Sequence, residues 1–337
     1  MKIFNWETEF THHNEKWSLK PILEALKDLD NPHLKLKNVI HIAGTNGKGS
    51  TAKFTYQILR ENEYNVGLFT SPHLVEYNER FLFNDKFITD EEIEKYRNIV
   101  VNKCQNANTI HYFEITTIIA ILWFNDKIKA LERNNHYDEK KIWFIFEVGL
   151  GGRLDATNIF EKTISVITSI SYDHMEKLGN TLSQIAYEKS GIIKQNCPIF
   201  TSNTKQEIVD VIKNVSNEKK AILFCQDIDY RLDTTLKPSL EGQHQFENAT
   251  LSKEICKYIG VSMEIIKKGI SNTKWLGRMQ NVQIEGLLAD KIYIDGAHNE
   301  GGIKIVRNFV EDIKHKYNNC NISYRKVQAY KVLDPSS

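Results

Sequence analysis

The sequence has few cysteines, and they are not arranged in pairs. Its 337 residues include five cysteines, with no C-x-x-C spacing anywhere along the chain. Cysteines this far apart are not typical of a small disulfide-stabilised domain or of a zinc site. Reduced thiols in a cytoplasmic protein are the interpretation that fits this pattern.

Long apolar runs and an excess of one charge are also missing. The most apolar stretch, residues 115–124, is much shorter than the ~20 residues that a transmembrane helix needs. The first ten residues, MKIFNWETEF, lack the apolar core of a signal peptide. Lysine and arginine number 44 against 43 aspartates and glutamates. No strong electrostatic field therefore favours a nucleic acid or an anionic membrane as a partner.

The most informative segment is HIAGTNGKGST, which begins at His41. An apolar run at residues 39–43 predicts a buried parallel strand, and residues 52–61 predict a helix. A glycine-rich turn between them directs backbone N–H groups and the positive end of the helix dipole at one point. Lys48 adds a mobile positive charge, and the hydroxyl of Ser50 or of the next residue suits a magnesium ion. The segment predicts a binding site for a nucleoside triphosphate.

This segment departs from the general P-loop pattern at two positions. Ile42 stands where a first glycine is expected, and Gly49 separates Lys48 from Ser50. The alternative interpretation is a glycine turn that only links a strand to a helix. We favour the phosphate site, because the lysine and the hydroxyl lie inside the turn in the required strand-to-helix context.

Strand-like and helix-like segments alternate through the rest of the chain, which is long enough for two domains and a large core. Further strands are predicted at residues 65–69, 141–148, 164–170, 198–201, 221–224 and 291–294. Helices are predicted within residues 1–37, at 90–104, 113–124 and 181–193, and from about residue 303. This alternation is typical of an α/β fold whose mostly parallel sheet is covered by helices on both faces.

Polar residues follow the predicted strands at their carboxyl ends, where ligands bind in open α/β sheets. Ser71, Glu147 and the pair Asp173 and His174 hold these positions. A buried carboxylate such as Glu147 needs a cation, and a salt bridge to Arg153 is the alternative to a metal. For His174 the alternative is a hydrogen-bonded histidine in the core. Because these groups follow strands beside the phosphate segment, we predict magnesium ligation there.

A second strand-to-helix crevice lies near the carboxyl end of the chain. The apolar run KIYI is followed by DGAHNEGG, which contains Asp295 and His298. This arrangement predicts a second α/β domain, with WLGRMQ near the junction and a ligand groove between the domains. The predicted first domain, linker and second domain are residues 1–274, 275–285 and 286–337.

Two further features are ambiguous when the residues are considered alone. The segment GLGGRLDATN holds three glycines, and a lone loop of this kind is usually a flexible connection. Lys189, within a predicted helix, has the pattern of a solvated helix lysine.

Seven segments of the chain resemble one enzyme family. In order they are HIAGTNGKGST, LFTSPHLVEYNERF, FEITT, FEVGLGGRLDATN, SISYDHMEKLGNTLSQIAYEKSGIIK, WLGRMQ and IDGAHN. They lie between residues 38 and 300, in the order found in the folylpolyglutamate synthase and dihydrofolate synthase branch of the Mur ligase superfamily. TSPHL and GGRLDATN separate this branch from the cell-wall ligases of the superfamily.

The resemblance implies an α/β fold with a Mur-ligase-type P-loop domain that binds ATP and folate, followed by a Rossmann-like α/β domain. It also implies an ATP-dependent ligase. The γ-phosphoryl group would pass to the carboxylate of a folate or of dihydropteroate, and L-glutamate would attack the acyl phosphate to form an amide. ATP and Mg²⁺ are the implied cofactors, and a requirement for a monovalent cation is left open.

The family pattern also assigns roles to individual residues. ATP contacts are implied at Asn46, Gly47, Lys48, Gly49, Ser50, Asn248, Arg278, Asp295 and His298. Metal ligation is implied at Ser71, Glu147, His174 and Lys189. Lys48, His174 and Lys189 would be catalytic, and CO₂ would convert Lys189 into a carbamate. The pterin or folate pocket is implied at Phe113, Glu114, Thr116, Arg153 and Asp155.

The chain departs from the family after the DGAHN segment. Members of the family continue for on the order of a hundred residues, within the usual size of a domain. We therefore expect an incomplete second domain, with a strand at residues 291–294 that has no sheet partner. Two alternatives follow: an inactive remnant that still binds nucleotide or a pterin, and another Mur-type amino-acid ligase. A monomer with no nucleic-acid or membrane partner is expected.

Overall fold

The computed structural model describes residues 18–105, 107–282, 291–297 and 299–316. The helices are α1 Lys20–Asp28, α2 Lys48–Glu61, α3 Asp90–Lys103, α4 Tyr112–Arg133, α5 Met175–Leu178, α6 Leu182–Ser190, α7 Gln206–Glu218, α8 His244–Ile259, α9 Met263–Asn272 and α10 Glu300–Lys316. The strands are β1 Val39–Ala43, β2 Asn65–Phe69, β3 Phe81–Phe83, β4 Lys86–Phe87, β5 Ile142–Glu147, β6 Ile164–Ile167, β7 Pro198–Thr201, β8 Ile222–Cys225, β9 Gln280–Val282 and β10 Ile292–Ile294. Short 3₁₀ helices lie at Pro32–Lys35, Tyr77–Arg80, Ala107–Thr109 and Glu139–Lys141.

Eight strands form one sheet in the order β4-β3-β2-β5-β1-β6-β7-β8. Six neighbouring strands, β2, β5, β1, β6, β7 and β8, are parallel to one another. At one edge β3 pairs antiparallel with β2, and β4 pairs antiparallel with β3. Ile42 of β1 lies opposite Glu147 of β5 on one side and Val166 of β6 on the other. The carboxyl ends of these central strands therefore meet beside the glycine-rich turn. The predicted mostly parallel α/β sheet is confirmed.

Helices cover both faces of the sheet, so its central strands are apolar on both sides. Phe144 and Phe146 pack with α1, α3 and α4 in one core cluster. Ile145, between them in sequence, packs with α2, α8 and α9 on the opposite face. The alternation of side chains along a strand explains why β5 is a continuous apolar run up to Glu147.

The bounds of three predicted strands, residues 39–43, 65–69 and 198–201, are confirmed. Helix α2 begins at Lys48, four residues earlier than predicted, because Gly47 takes a left-handed conformation (φ 88°) at its N-cap. The hairpin between β3 and β4 was not predicted. Its turn places Asn84 and Asp85 at positive φ, as a two-residue hairpin requires. Helices α7, α8 and α9 were also not predicted.

The strand β10, near the carboxyl end of the chain, has a sheet partner. β10 pairs antiparallel with β9, which lies inside the predicted linker at residues 275–285. The expectation of a strand without a partner is therefore wrong, because residues before the second domain supply one. The boundary between the two domains stays a prediction. Among the described residues, no helix combines the length and apolar character that crossing a membrane requires.

Phe124 offers a test of the packing in the core cluster that contains Phe144 and Phe146. It is fully buried, with ring centroids 5.3 Å from Phe144 and 5.8 Å from Phe146. Phe124→Ala should lower the free energy of unfolding by about 3–5 kcal/mol, because it leaves a cavity. Urea denaturation measures this loss. Phe87→Ala, at a side chain that is 54% exposed, is the matched control and should cost under about 0.5 kcal/mol. Equal losses in the two variants would contradict the packing described.

Candidate active site

The glycine-rich turn between β1 and α2 is held by the segment that follows β6. Thr168 Oγ1 donates to Asn46 O at 2.7 Å, and Thr45 N donates to Ser169 O at 2.8 Å. Gly47 leaves no room for a side chain, since an added Cβ would lie 2.4 Å from Asn248 Oδ1. Lys48, Gly49 and Ser50 follow in the first turn of α2, where backbone N–H groups without an intrahelical partner suit an anion.

Lys48 reaches back over this turn. Its Nζ donates to Gly44 O at 3.2 Å and to Thr45 O at 3.1 Å. Burial lowers the pKa of the Lys48 ammonium, and the nearby Glu147 carboxylate opposes this shift. Among the described residues, the hydrogen bonds of this partly buried cation go to carbonyls of its own turn, which it could exchange for a phosphate oxygen.

Glu147 lies at the end of β5 and is 4% exposed. Its Oε2 accepts a hydrogen bond from Ser71 N at 3.1 Å. Burial raises the pKa of the Glu147 carboxyl, and the positive charge of Lys48 opposes this shift. The alternative ion pair between Glu147 and Arg153 is wrong, because Arg153 pairs instead with Glu188, with Nη2 and Oε1 2.8 Å apart.

One cavity brings the predicted metal ligands and the phosphate turn together. Ser71, Glu147 and His174 line it together with Lys48. His174 adopts a left-handed backbone (φ 47°) before α5, and its side chain is 47% exposed. The alternative of a core histidine is therefore wrong. Within the described ranges, no three His, Cys, Asp or Glu side chains cluster as a metal site, so metal ligation stays a prediction.

Lys189, at the end of α6, lines the same cavity and is 4% exposed. Its Nζ donates to Gly44 O at 2.9 Å, which is also an acceptor for Lys48. Burial, reinforced by the charge of Lys48, lowers the pKa of Lys189 to about 7. The interpretation of Lys189 as a solvated helix lysine is wrong. Gly152 packs against the backbone of α6 at this point, where an added Cβ would lie 2.9 Å from the Lys189 carbonyl oxygen.

The carboxyl-terminal segment supplies another wall of the cavity. Arg278 and Asp295 line it, and Asp295 also accepts from the backbone N–H groups of Met279 and Ala297, both at distances under 3 Å. Asn248 donates to Gln245 Oε1 at 3.0 Å beside the glycine-rich turn. His298 lies outside the described residues, so its predicted role stays a prediction.

Sequence reasoning assigned no role to Asn299 or to His244. The Asn299 side-chain amide donates to Asp173 Oδ2 at 2.7 Å and to Asn46 Oδ1 at 3.2 Å. It thus ties the start of α10 to two walls of the cavity. His244 lines the cavity, and burial lowers the pKa of its imidazole. The DGAHN segment could have pointed to Asn299 as a site residue. Its hydrogen-bond partners, Asp173 and Asn46, lie too far away in sequence to be found by spacing.

The predicted pterin or folate residues have varied surroundings. The Phe113 ring packs against Gly149, whose added Cβ would lie 2.6 Å from it. Glu114 accepts from His111 N at 2.7 Å and caps α4, and Thr116 is fully buried and donates to Tyr112 O at 2.8 Å. Asp155 is also buried, and Arg153 lines a neighbouring pocket with Glu188. Their role in substrate binding stays a prediction.

Comparison with curated proteins decides the family. The chain is 34% identical to the dihydrofolate synthase/folylpolyglutamate synthase of Bacillus subtilis, and the match covers 93% of this chain and 76% of that protein. It is 32% identical to the dihydrofolate synthetase of Saccharomyces cerevisiae, covering 83% of this chain and 69% of that protein. The chain belongs to the folylpolyglutamate synthase/dihydrofolate synthase family. An Arabidopsis thaliana folylpolyglutamate synthase is 36% identical, but the match spans only 50% of its length.

Solved structures of this family share the fold. A folylpolyglutamate synthase from Thermotoga maritima is 32% identical with a TM-score of 0.74, covering 89% of this chain and 72% of that one. E. coli FolC in complex with DHPP and ADP is 26% identical with a TM-score of 0.80, covering 94% and 74%. A bifunctional Yersinia pestis enzyme with AMPPNP and Mn is 25% identical with a TM-score of 0.78, covering 92% and 74%. A scan of family models matches none to the chain.

Membership of the folylpolyglutamate synthase/dihydrofolate synthase family confirms the resemblance drawn from the seven sequence segments. It also agrees with the fold, in which six of these seven segments, all except FEITT, contribute residues to one cavity. The comparisons do not test the roles of individual residues, so those assignments remain predictions.

Proposed function

We propose that this chain is an ATP-dependent ligase that joins L-glutamate to the carboxylate of a folate or of dihydropteroate through an acyl phosphate. The observation that carries the proposal is the single cavity lined by Lys48, Glu147, Lys189 and Arg278. It combines a phosphate-binding turn, a buried carboxylate and several cations. The names of the relatives, and the ligands of the solved family structures, support the same chemistry.

The triphosphate of ATP would lie over the turn at Asn46 to Ser50. Backbone N–H groups at the start of α2 would bind phosphate oxygens, and Lys48 would leave its two carbonyl partners for them. Arg278 would add a second positive charge on the opposite wall. Because the phosphoryl group in flight carries spread negative charge, these fixed cations would stabilise the transition state. Asn248, Asp295 and His298 are assigned to the nucleotide in the same proposal.

A divalent cation fits part of the predicted donor set. The buried Glu147 carboxylate lies beside the Ser71 segment at the cavity wall, and hard cations such as Mg²⁺ prefer oxygen donors of this kind. His174 is the less usual donor for magnesium. We infer that Glu147, Ser71 and His174 would hold the ion, which when bound neutralises charge on the phosphates. A monovalent cation is not assigned to particular residues.

Lys189 has the surroundings that a carbamylated lysine requires. CO₂ reacts with a neutral amine, and the lowered pKa of about 7 gives Lys189 a large neutral fraction near physiological pH. A bond forms between Nζ and the carbon of CO₂ and one amine proton is released to solvent, so the product is an anion in a cavity that already contains Lys48. An anion there would accept from the neighbouring ammonium and is the form we propose for the active protein.

The assay that tests the proposal is glutamate-dependent release of ADP in the presence of ATP and Mg²⁺. Dihydropteroate and tetrahydrofolate are supplied separately, and each reaction is repeated without glutamate. Release that needs both glutamate and a pteridine substrate is expected. ATP binding without turnover would support the inactive-remnant alternative, and turnover with a cell-wall precursor alone would support another Mur-type ligase.

We also infer that the protein acts as a monomer in the cytoplasm. The four described cysteines Cys104, Cys197, Cys225 and Cys256 are free and buried, which agrees with a reducing compartment. Sedimentation velocity tests the oligomeric state, and a concentration-dependent dimer would contradict the monomer.

A further inference from the structure

A buried chain of hydrogen bonds links β1 to the glycine-rich loop after β5. His41 Nε2 lies 2.8 Å from Thr157 Oγ1, and Thr157 Oγ1 in turn donates to Asp155 Oδ1. His41 and Thr157 are fully buried, and Asp155 is 5% exposed. His41 precedes the phosphate-binding turn by only a few residues, yet nothing in the proposed chemistry uses its imidazole. We call these three residues the His41 relay.

The direction of the hydrogen bonds follows from the partners of Asp155. Its Oδ1 accepts from Thr157 N at 3.0 Å, and its Oδ2 accepts from Leu150 N at 2.9 Å. A carboxylate with several N–H donors accepts the hydroxyl proton of Thr157 as well. The Thr157 oxygen is then free to accept from His41 Nε2–H. In the described part of the chain the other ring nitrogen of His41, Nδ1, has no hydrogen-bond partner, as expected for a neutral imidazole protonated at Nε2.

The loop fixed by Asp155 touches both sides of the reaction cavity. Gly149 and Gly151 line the cavity directly after Glu147. Gly152 packs against α6, where an added Cβ would lie 2.9 Å from the carbonyl oxygens of Glu188 and Lys189. The next residue strengthens this contact, because Arg153 N donates to Glu188 O at 2.8 Å. The loop therefore connects Glu147 to the helix that carries Lys189, α6.

We propose that His41 and Thr157 are positioning residues that, through Asp155, fix the placement of Lys189 relative to Glu147. The proposal rests on the proposed function, since Lys189 matters only if the cavity carries out the reaction. The hydrogen bonds of the phosphate-binding turn to Thr168 and Ser169 are separate from the relay. Loss of the relay should therefore change turnover and leave ATP affinity unchanged.

Thr157→Val tests the relay, because it removes the hydroxyl and keeps the shape of the side chain. We expect kcat to fall about tenfold, since a misplacement of reacting groups well below 1 Å has an effect of this size. The dissociation constant for ATP should stay within about twofold. Thr157→Ser retains the hydroxyl and should restore kcat. Thr163→Val, which removes another buried hydroxyl, 3.0 Å from Ser165 Oγ, controls for general destabilisation.

Two readouts do not depend on turnover. Nitrogen-15 NMR should show a neutral His41 protonated at Nε2, and in Thr157→Val the Nε2 resonance should shift because its acceptor is gone. Acylation of Lys189 by an amine-reactive reagent, measured by peptide mass spectrometry, should rise several-fold in Thr157→Val because the loop no longer holds α6 in place.

The outcomes separate this inference from the proposed function. Absence of glutamate-dependent turnover in the unaltered protein contradicts the proposed function, while Lys189 acylation still decides whether the relay positions the lysine. Unchanged acylation and kcat in Thr157→Val would overturn the inference. So would an equal loss of kcat in Thr163→Val, or a parallel loss of ATP affinity.

Discussion

Replacing Lys48 by methionine is expected to lower the turnover number by about 10³-fold, the size of effect seen when one fixed electrostatic contact to a transition state is lost. Lys48 is the cation that lies within the phosphate-binding turn itself, with its Nζ between Gly44 O and Thr45 O. A methionine has nearly the same length and no charge, so the turn should keep its shape. Glutamate-dependent ADP release at saturating ATP measures the effect.

The control for this substitution is Lys213→Met, at an exposed position of α7 far from the turn in sequence. It should retain the turnover of the unaltered protein. ATP binding by Lys48→Met, measured by calorimetry, should weaken as well, because in the proposed site the lysine would contact the phosphates in the ground state too. A Lys48→Met protein with near-normal turnover would contradict the phosphate site.

Lys189→Met is expected to lower turnover by about 10²–10³-fold, because it removes the group that becomes the carbamate anion. The unaltered protein should in addition need CO₂. The pKa of Lys189 is about 7, so the fraction of its amine that is neutral increases as pH rises through 7. Because the neutral amine also releases a proton when it forms the carbamate, activity at a fixed concentration of dissolved CO₂ should rise with pH through that range until Lys189 is fully carbamylated. Carbon-13-labelled CO₂ should give a carbamate signal in the NMR spectrum.

Lys194→Met is the matched control for Lys189. Burial also lowers the pKa of Lys194, to about 8, but its Nζ donates to Asn158 O at 3.3 Å outside the cavity. If the lowered pKa alone made a lysine important, both substitutions would have the same effect. We expect Lys194→Met to keep the CO₂ response and the carbamate signal. Turnover by unaltered protein that is independent of CO₂ would contradict the proposed carbamate.

The elements that local chemistry governs were the ones that the sequence could predict. The apolar runs of β1, β2 and β7 have no alternative to a buried strand, and their bounds agree with the structure. The start of α2 was predicted too late, since Gly47 adopts a left-handed N-cap that lets the helix begin at Lys48. This difference brings Lys48 and Ser50 into the first turn of the helix, where the helix N-terminus faces the site.

Charge environments were the features that sequence reasoning predicted least well. Lys189 lies on the last turn of a helix, where a lysine is ordinarily solvated. Its Nζ instead donates to Gly44 O, 145 residues away in sequence. Arg153 was a reasonable partner for Glu147 by proximity in sequence, but it pairs with Glu188 because α6 lies closer to its side chain. Neither contact has a local signature.

By itself the sequence determined the glycine-rich turn, the parallel sheet and the meeting of Ser71, Glu147 and His174 at the strand ends, because residue type and strand direction act locally or by a general rule of topology. Only the tertiary structure decided which lysine is desolvated, which carboxylate each cation meets, and that His41 lies against Thr157, 116 residues along the chain. Desolvation and hydrogen bonding depend on distances between atoms, and residues remote in sequence acquire such distances only when the chain has packed.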